Sequence, residues 1–126
     1  MTAAARPLAA TGEDAACSFQ QMIEELMAQA RADDQMDRRG AARYPFFRPA
    51  TLHSHRAELD PHLAFTRELS TSGVGLLHNM PLEPGRYLVT IHPAQGPSCS
   101  IPTEILWRRP CGEGWYLSGG RFVPPA

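Results

Sequence analysis

From about residue 50 onward the sequence is cut into six short β-favouring runs, near residues 50–55, 62–68, 74–78, 86–92, 99–109 and 114–123. The breaks between them carry turn chemistry, including Asp60-Pro61, Pro84-Gly85, Gly96-Pro97 and Gly112-Glu113-Gly114. Proline removes a ladder donor and fixes φ, while glycine opens the left-handed conformations that tight turns need. Alternation is clearest at Tyr87, Val89 and Ile91, and at Ile101, Thr103, Ile105 and Trp107, the period of a half-buried strand. Six such strands in an open sheet would leave two long edges to solvent, and closing the sheet removes them. The pattern therefore predicts a mostly β fold built as a six-stranded antiparallel β-barrel.

The chain ahead of the barrel has a different texture. Residues 1–13, rich in alanine with Pro7 and Gly12, read as a flexible lead. Over residues 14–36 the apolar side chains Phe19, Met22, Ile23, Leu26, Met27 and Ala30 recur at helical spacing, which predicts one N-terminal amphipathic α-helix, with Asp14 or Ser18 available as its cap. Its narrow apolar stripe needs a surface to cover it: the barrel, a second copy of itself or a partner protein. Residues 37–49, DRRGAARYPFFRP, form an arm in which Gly40, Pro45 and Pro49 discourage regular structure. Residues 37–126 are taken as one domain, arm and barrel together.

Charge divides at the same place. Residues 1–37 carry two arginines against seven acids, a net of about −5, and residues 38–126 carry ten arginines against six acids, about +4. The barrel half suits a small anionic ligand and falls short of the basic footprint of a nucleic-acid polymer binder. All 12 basic residues are arginine. A guanidinium fork matches phosphate oxygens and guanine edges, whereas an ammonium is only a point charge.

Other chemistries find little support. Cys17, Cys99 and Cys111 are odd in number and lack CxxC spacing, which reads as reduced thiols. The start has no continuous apolar core of signal-peptide length, and no stretch approaches a membrane span, so the expectation is a cytoplasmic chain with no membrane partner. His53 and His55 fall on one side of a strand, but no further ligands can be picked from His62, His78 and His92 to complete a metal site. No GxSxG setting accompanies Ser70 and no phosphate-binding GxxxxGK[ST] occurs. The chain is therefore expected to be no enzyme and to carry no cofactor. Trp107, Trp115, Tyr116 and Phe122 have strand spacing and read as core or barrel-surface aromatics.

Two constellations remain. Arg39 and Arg43 stand four positions apart in the small-residue arm, with Arg38 beside them, so that side chains of an extended arm can converge on one ligand. Glu68-Leu69-Ser70-Thr71-Ser72-Gly73 ends one predicted strand and precedes Val74-Gly75-Leu76-Leu77, gathering a carboxylate, hydroxyls and a turn glycine. Gly73 is free there to take a positive φ or to let a ligand approach the backbone.

In order and spacing these two constellations resemble the PilZ family, which has an RxxxR in the arm before its barrel and a [DN]xSxxG between its second and third strands. Arg39 and Arg43 meet the first; Ser70 and Gly73 meet the second, with Glu68 in place of Asp or Asn. The runs Val74-Gly75-Leu76 and Gly114-Trp115-Tyr116-Leu117-Ser118-Gly119-Gly120-Arg121-Phe122 are also similar to strands of that family, and the likeness covers about residues 37–123. It implies a receptor for the bacterial second messenger cyclic di-GMP, with Arg38, Arg39, Arg43, Glu68, Ser70 and Gly73 as the ligand-binding residues. Arginine forks would take guanine O6/N7 or phosphate oxygens, a carboxylate at 68 would accept from guanine N–H donors, and Ser70 with backbone N–H groups near Gly73 would complete the polar ring. Closing of the arm over the ligand would reposition the N-terminal helix and so change the protein partner that the helix meets. If the longer Glu68 instead closes the base site, the same barrel is a degenerate protein-interaction module that binds no nucleotide.

Overall fold

The computed structural model describes residues 12–33, 43–54 and 61–124. Its helix α1 runs Gly12–Asp33, and strands follow at β1 (Tyr44–Pro45), β2 (Pro49–Ser54), β3 (His62–Leu69), β4 (Gly73–His78), β5 (Gly85–Ile91), β6 (Cys99–Gly112) and β7 (Trp115–Phe122). The sheet order is β1-β3-β2-β5-β6-β7-β4, and β4 also pairs with β3. That last pairing closes six antiparallel strands, β2 to β7, into a barrel. The two-residue β1 lies on the edge of β3 beyond the part that β2 uses, with Tyr44 opposite Leu69 and Pro45 opposite Glu68.

The alternation in sequence becomes an inside and an outside. Leu52, Leu69, Leu76, Val89, Ile91, Ile101 and Ile105 are buried within the barrel. Buried polar groups are paired, as the low dielectric of a core demands. Thr66 donates to the carbonyl of Phe46 and accepts from the amide of Arg48 at 2.9 Å, and Phe46 N–H donates to Arg67 O at 2.9 Å, so the end of the arm is bound to β3.

The helix meets one end of the barrel. Phe19, Ile23, Leu26, Met27 and Ala30 are buried in the same cluster as the barrel interior. Gln29 Nε2 donates to the carbonyl of Gln95 at 3.0 Å, and the Arg31 guanidinium stands 6.0 Å from the centroid of Tyr44. Burial pushes the Cys99 thiol up, and the Glu25 carboxylate on α1 adds to the effect. Of the three surfaces open to the apolar stripe, it is the barrel that covers it. The Asp14 start expected from the pattern lies two residues inside the helix, and residues 34–36 are outside the described residues.

Two local irregularities in the ladders decide which side chains face outward. Arg67 is an extra residue in the β3–β4 ladder, between Thr66 opposite Leu76 and Glu68 opposite Gly75, so Arg67 and Glu68 both reach the outer side. A second shift falls between Ile105 and Trp107. The sequence period places Trp107 in phase with Ile105, inside; the bulge at Leu106 reverses the phase, and Leu106 and Trp107 are both exposed.

Candidate functional site

The register across β3, β4, β7 and β6 sets four residues in one transverse row on the outer face. Glu68 is opposite Gly75, Gly75 opposite Gly119, and Gly119 opposite Trp107. A Cβ on Gly119 would overlap the indole of Trp107, and one on Gly75 would stand 3.0 Å from Glu68 Cγ. The two glycines thus let the flanking side chains lie down along the sheet from opposite ends. A glycine inside a strand weakens it, and close approach by another group is a common reason for its presence.

A cleft of about 560 Å³ opens above this row. Arg43, Arg67, Arg109 and Arg121 stand around it with Glu68, Ser70 and Trp107. Arg43 Nη1 donates to Glu68 Oε2 at 2.8 Å, tying the arm to β3 across the cleft edge. Both side chains are well exposed, so the pair contributes only about 0–1 kcal/mol to folding and can be exchanged for a ligand at low cost. Arg121 is paired with Glu104, and the Arg109 guanidinium lies 5.6 Å from the centroid of a Trp107 ring. No carboxylate is paired with Arg67 or Arg109 among the described residues.

The turn that begins with Ser70 is differently built from the sequence expectation. Ser70 Oγ accepts from Ser72 N–H at 3.2 Å and from Gly73 N–H at 3.1 Å, and Ser70 N–H donates to Gly73 O at 3.0 Å. The backbone donors expected to face a ligand are spent on the Ser70 hydroxyl, whose work here is to hold the turn. Gly73 does not take a positive φ. A Cβ there would overlap the carbonyl oxygen of Gly120, so glycine is required by the approach of β7.

Four of the six residues expected at the site, Arg43, Glu68, Ser70 and Gly73, line this one cleft. Arg38 and Arg39 lie outside the described residues. Sequence reasoning missed Arg67, Gly75, Trp107, Arg109, Gly119 and Arg121. The available signal was glycine within strand patterns at 75 and 119; the facing of Arg67 and Trp107 depends on bulges that no spacing discloses. Among the described residues no group of three or more His, Cys, Asp or Glu side chains is placed to hold a metal. His53 is exposed on β2, and His55 lies outside the described residues. His78 is buried instead, with Nδ1 donating to Met80 O and Nε2 accepting from Ser118 Oγ, each at 2.6 Å. Burial holds its pKa below the usual histidine value.

A closed antiparallel barrel with an arginine-rimmed cleft on its outer wall defines a small module suited to anionic ligands. The family model described as PilZ domain matches residues 37–126, and the chain belongs to the PilZ family, whose members are cyclic di-GMP receptor modules. No curated protein matches the chain. No helix among the described residues is long and apolar enough to cross a membrane.

Proposed function

We propose that this chain is a cyclic di-GMP receptor and that the ligand occupies the outer cleft. The observation that carries this reading is the meeting of Arg43 from the arm and Glu68 from β3 beside the exposed indole of Trp107, over strands flattened by Gly75 and Gly119. Cyclic di-GMP presents two phosphates and two guanines. In this reading one guanine stacks on the indole and directs its N1–H and N2–H donors to the Glu68 carboxylate. Arg43 turns from Glu68 to guanine O6/N7 or to a phosphate oxygen, with Arg38 and Arg39 proposed as further contacts on the ligand. Arg67, Arg109 and Arg121 supply the field that favours a dianion. Binding and release are the function, without bond making and without a cofactor.

The signal leaves through the arm. Tyr44 is paired with Leu69, one residue from Glu68, and lies under Arg31 of α1. A change at Arg43 is therefore felt by the helix within two side chains, and the exposed face of α1, with Gln20, Gln21 and Glu24, is what a protein partner would meet.

One observation favours a second reading. The Glu68 side chain lies against Gly75 and is held there by Arg43, so the unliganded protein fills part of the base site itself. Were that pair too costly to open, the barrel would be an interaction module that binds no nucleotide. Titration of the isotopically labelled chain, followed by nuclear magnetic resonance, tests the first reading. Cyclic di-GMP is expected to shift the signals of Glu68, Gly75, Gly119 and the Trp107 indole N–H, and cyclic di-AMP to leave them in place. Shifts confined to other strands would put the ligand elsewhere, and no shifts at all would favour the interaction module.

A further inference from the structure

Next to the glycine row, two residues along β4, β7 and β6 and three along the bulged β3, lies a second row of a different kind. Phe65 is opposite Leu77 and Leu77 opposite Leu117, all outward and half-buried. Phe47 stacks on Phe65 with ring centroids 5.1 Å apart and planes 4° from parallel, and is itself 63% exposed. Leu63, on the same face of β3, is 76% exposed, and the row ends at Arg109, beside Trp107 and Leu106. Outer positions of an antiparallel barrel in water are ordinarily polar. A run of this extent that crosses three strands and continues at both ends marks a surface made to be covered.

The charges around it select what covers it. Arg67 stands at one end and Arg109 at the other, neither paired with a carboxylate among the described residues. A second copy docked face to face would bring these guanidiniums against their own kind. Two arginines without a carboxylate partner among the described residues are also fewer than the clusters that hold proteins to anionic lipid surfaces. A protein segment with apolar anchors and flanking acids satisfies both the row and its ends.

We propose that the outer row formed by Phe47, Leu63, Phe65, Leu77 and Leu117 is a docking surface for an acidic, apolar-anchored segment of a partner protein, with Arg67 and Arg109 as the charge contacts. The surface borders the proposed nucleotide cleft and shares Arg67, Arg109 and Leu117 with its lining. It does not require nucleotide binding, because Phe47 and Leu63 are exposed and Phe65, Leu77 and Leu117 face outward in the unliganded chain.

Random peptides displayed on phage are selected on the full chain, in parallel with selection on a Phe47→Ser/Leu63→Ser double variant. Both substituted side chains are exposed, so the fold is retained, and an unchanged Tm verifies this. Sequences enriched on the parent alone are expected to combine Asp or Glu with Leu, Phe or Trp. Synthetic versions should lose about tenfold or more in affinity on Arg67→Glu/Arg109→Glu, and weaken with salt. Four outcomes overturn the proposal: no enrichment on the parent over the double variant, enrichment of basic or uncharged peptides, sedimentation of the chain as a dimer that Phe47→Ser/Leu63→Ser dissociates, or flotation with phosphatidylserine vesicles that the same substitutions abolish.

Discussion

At the scale of single residues, the proposed nucleotide binding turns on Glu68. Its carboxylate has one oxygen on Arg43, and its remaining acceptor capacity is what guanine donors would take up. Glu68→Ala is expected to weaken cyclic di-GMP binding by about 5- to 150-fold, the range of one good hydrogen-bonded base contact, with little change in unliganded stability. A gain in affinity would mean that Glu68 blocks the base, and equal affinity that it faces only solvent. Gly119→Ala tests the indole: a methyl group cannot coexist with Trp107 as placed, so the ring must leave the sheet and ligand-induced quenching of its fluorescence should be lost. His78 belongs to stability. Burial depresses its folded pKa, so below the ordinary value near 6.5 the unfolded chain takes up a proton that the folded chain refuses. The His78 contribution is complete above about pH 6.5 and is lost as pH falls through the folded pKa. Tm measured from about pH 7.5 down to about pH 5 should decline, and should decline less in His78→Gln.

Among the secondary-structure elements, α1 is the one whose role the sequence left open. Its apolar spacing was plain, but an apolar stripe carries no address. The structure buries Leu26 and Met27 completely or nearly so in the barrel cluster. Leu26→Ala is accordingly expected to cost about 2–5 kcal/mol, measured by urea unfolding of the full chain. A loss below about 0.5 kcal/mol would show that the helix does not seal the barrel in solution. The strands were legible because each has turn residues at its ends and alternation within; all six expected runs agree with observed strands to within a few residues. Bulges were not legible. Inserting one residue changes only one phase, yet it takes Trp107, readable in sequence as core or barrel surface, out of phase with Ile105 and into the wall of the cleft. The arm shows the same limit: Phe46 and Arg48 are tied to β3 by Thr66, a threonine that looks like any other strand residue in sequence.

At the scale of the whole molecule, the barrel presents one outer wall with the two proposed sites side by side. Closing the sheet between β3 and β4 brings Glu68 within reach of Gly75, and the long β6–β7 hairpin brings Trp107 and Arg109 to the same wall from residues far along the chain. Of the cleft, the sequence disclosed the parts that are local, Arg43 of the arm and the turn before β4. It could not disclose the opposite wall, because that wall exists only through sheet register. Residues 37–126 place the barrel in the PilZ family of cyclic di-GMP receptor modules; the proposal that this chain binds the ligand rests on the cleft. Calorimetric titration tests that claim most directly, with cyclic di-GMP, cyclic di-AMP and GTP run against the parent and Arg43→Ala. The expected result is saturable heat from cyclic di-GMP alone, with affinity reduced by about 5- to 150-fold in Arg43→Ala and unliganded Tm unchanged. No heat from cyclic di-GMP with the parent, or equal affinity in both proteins, would contradict it.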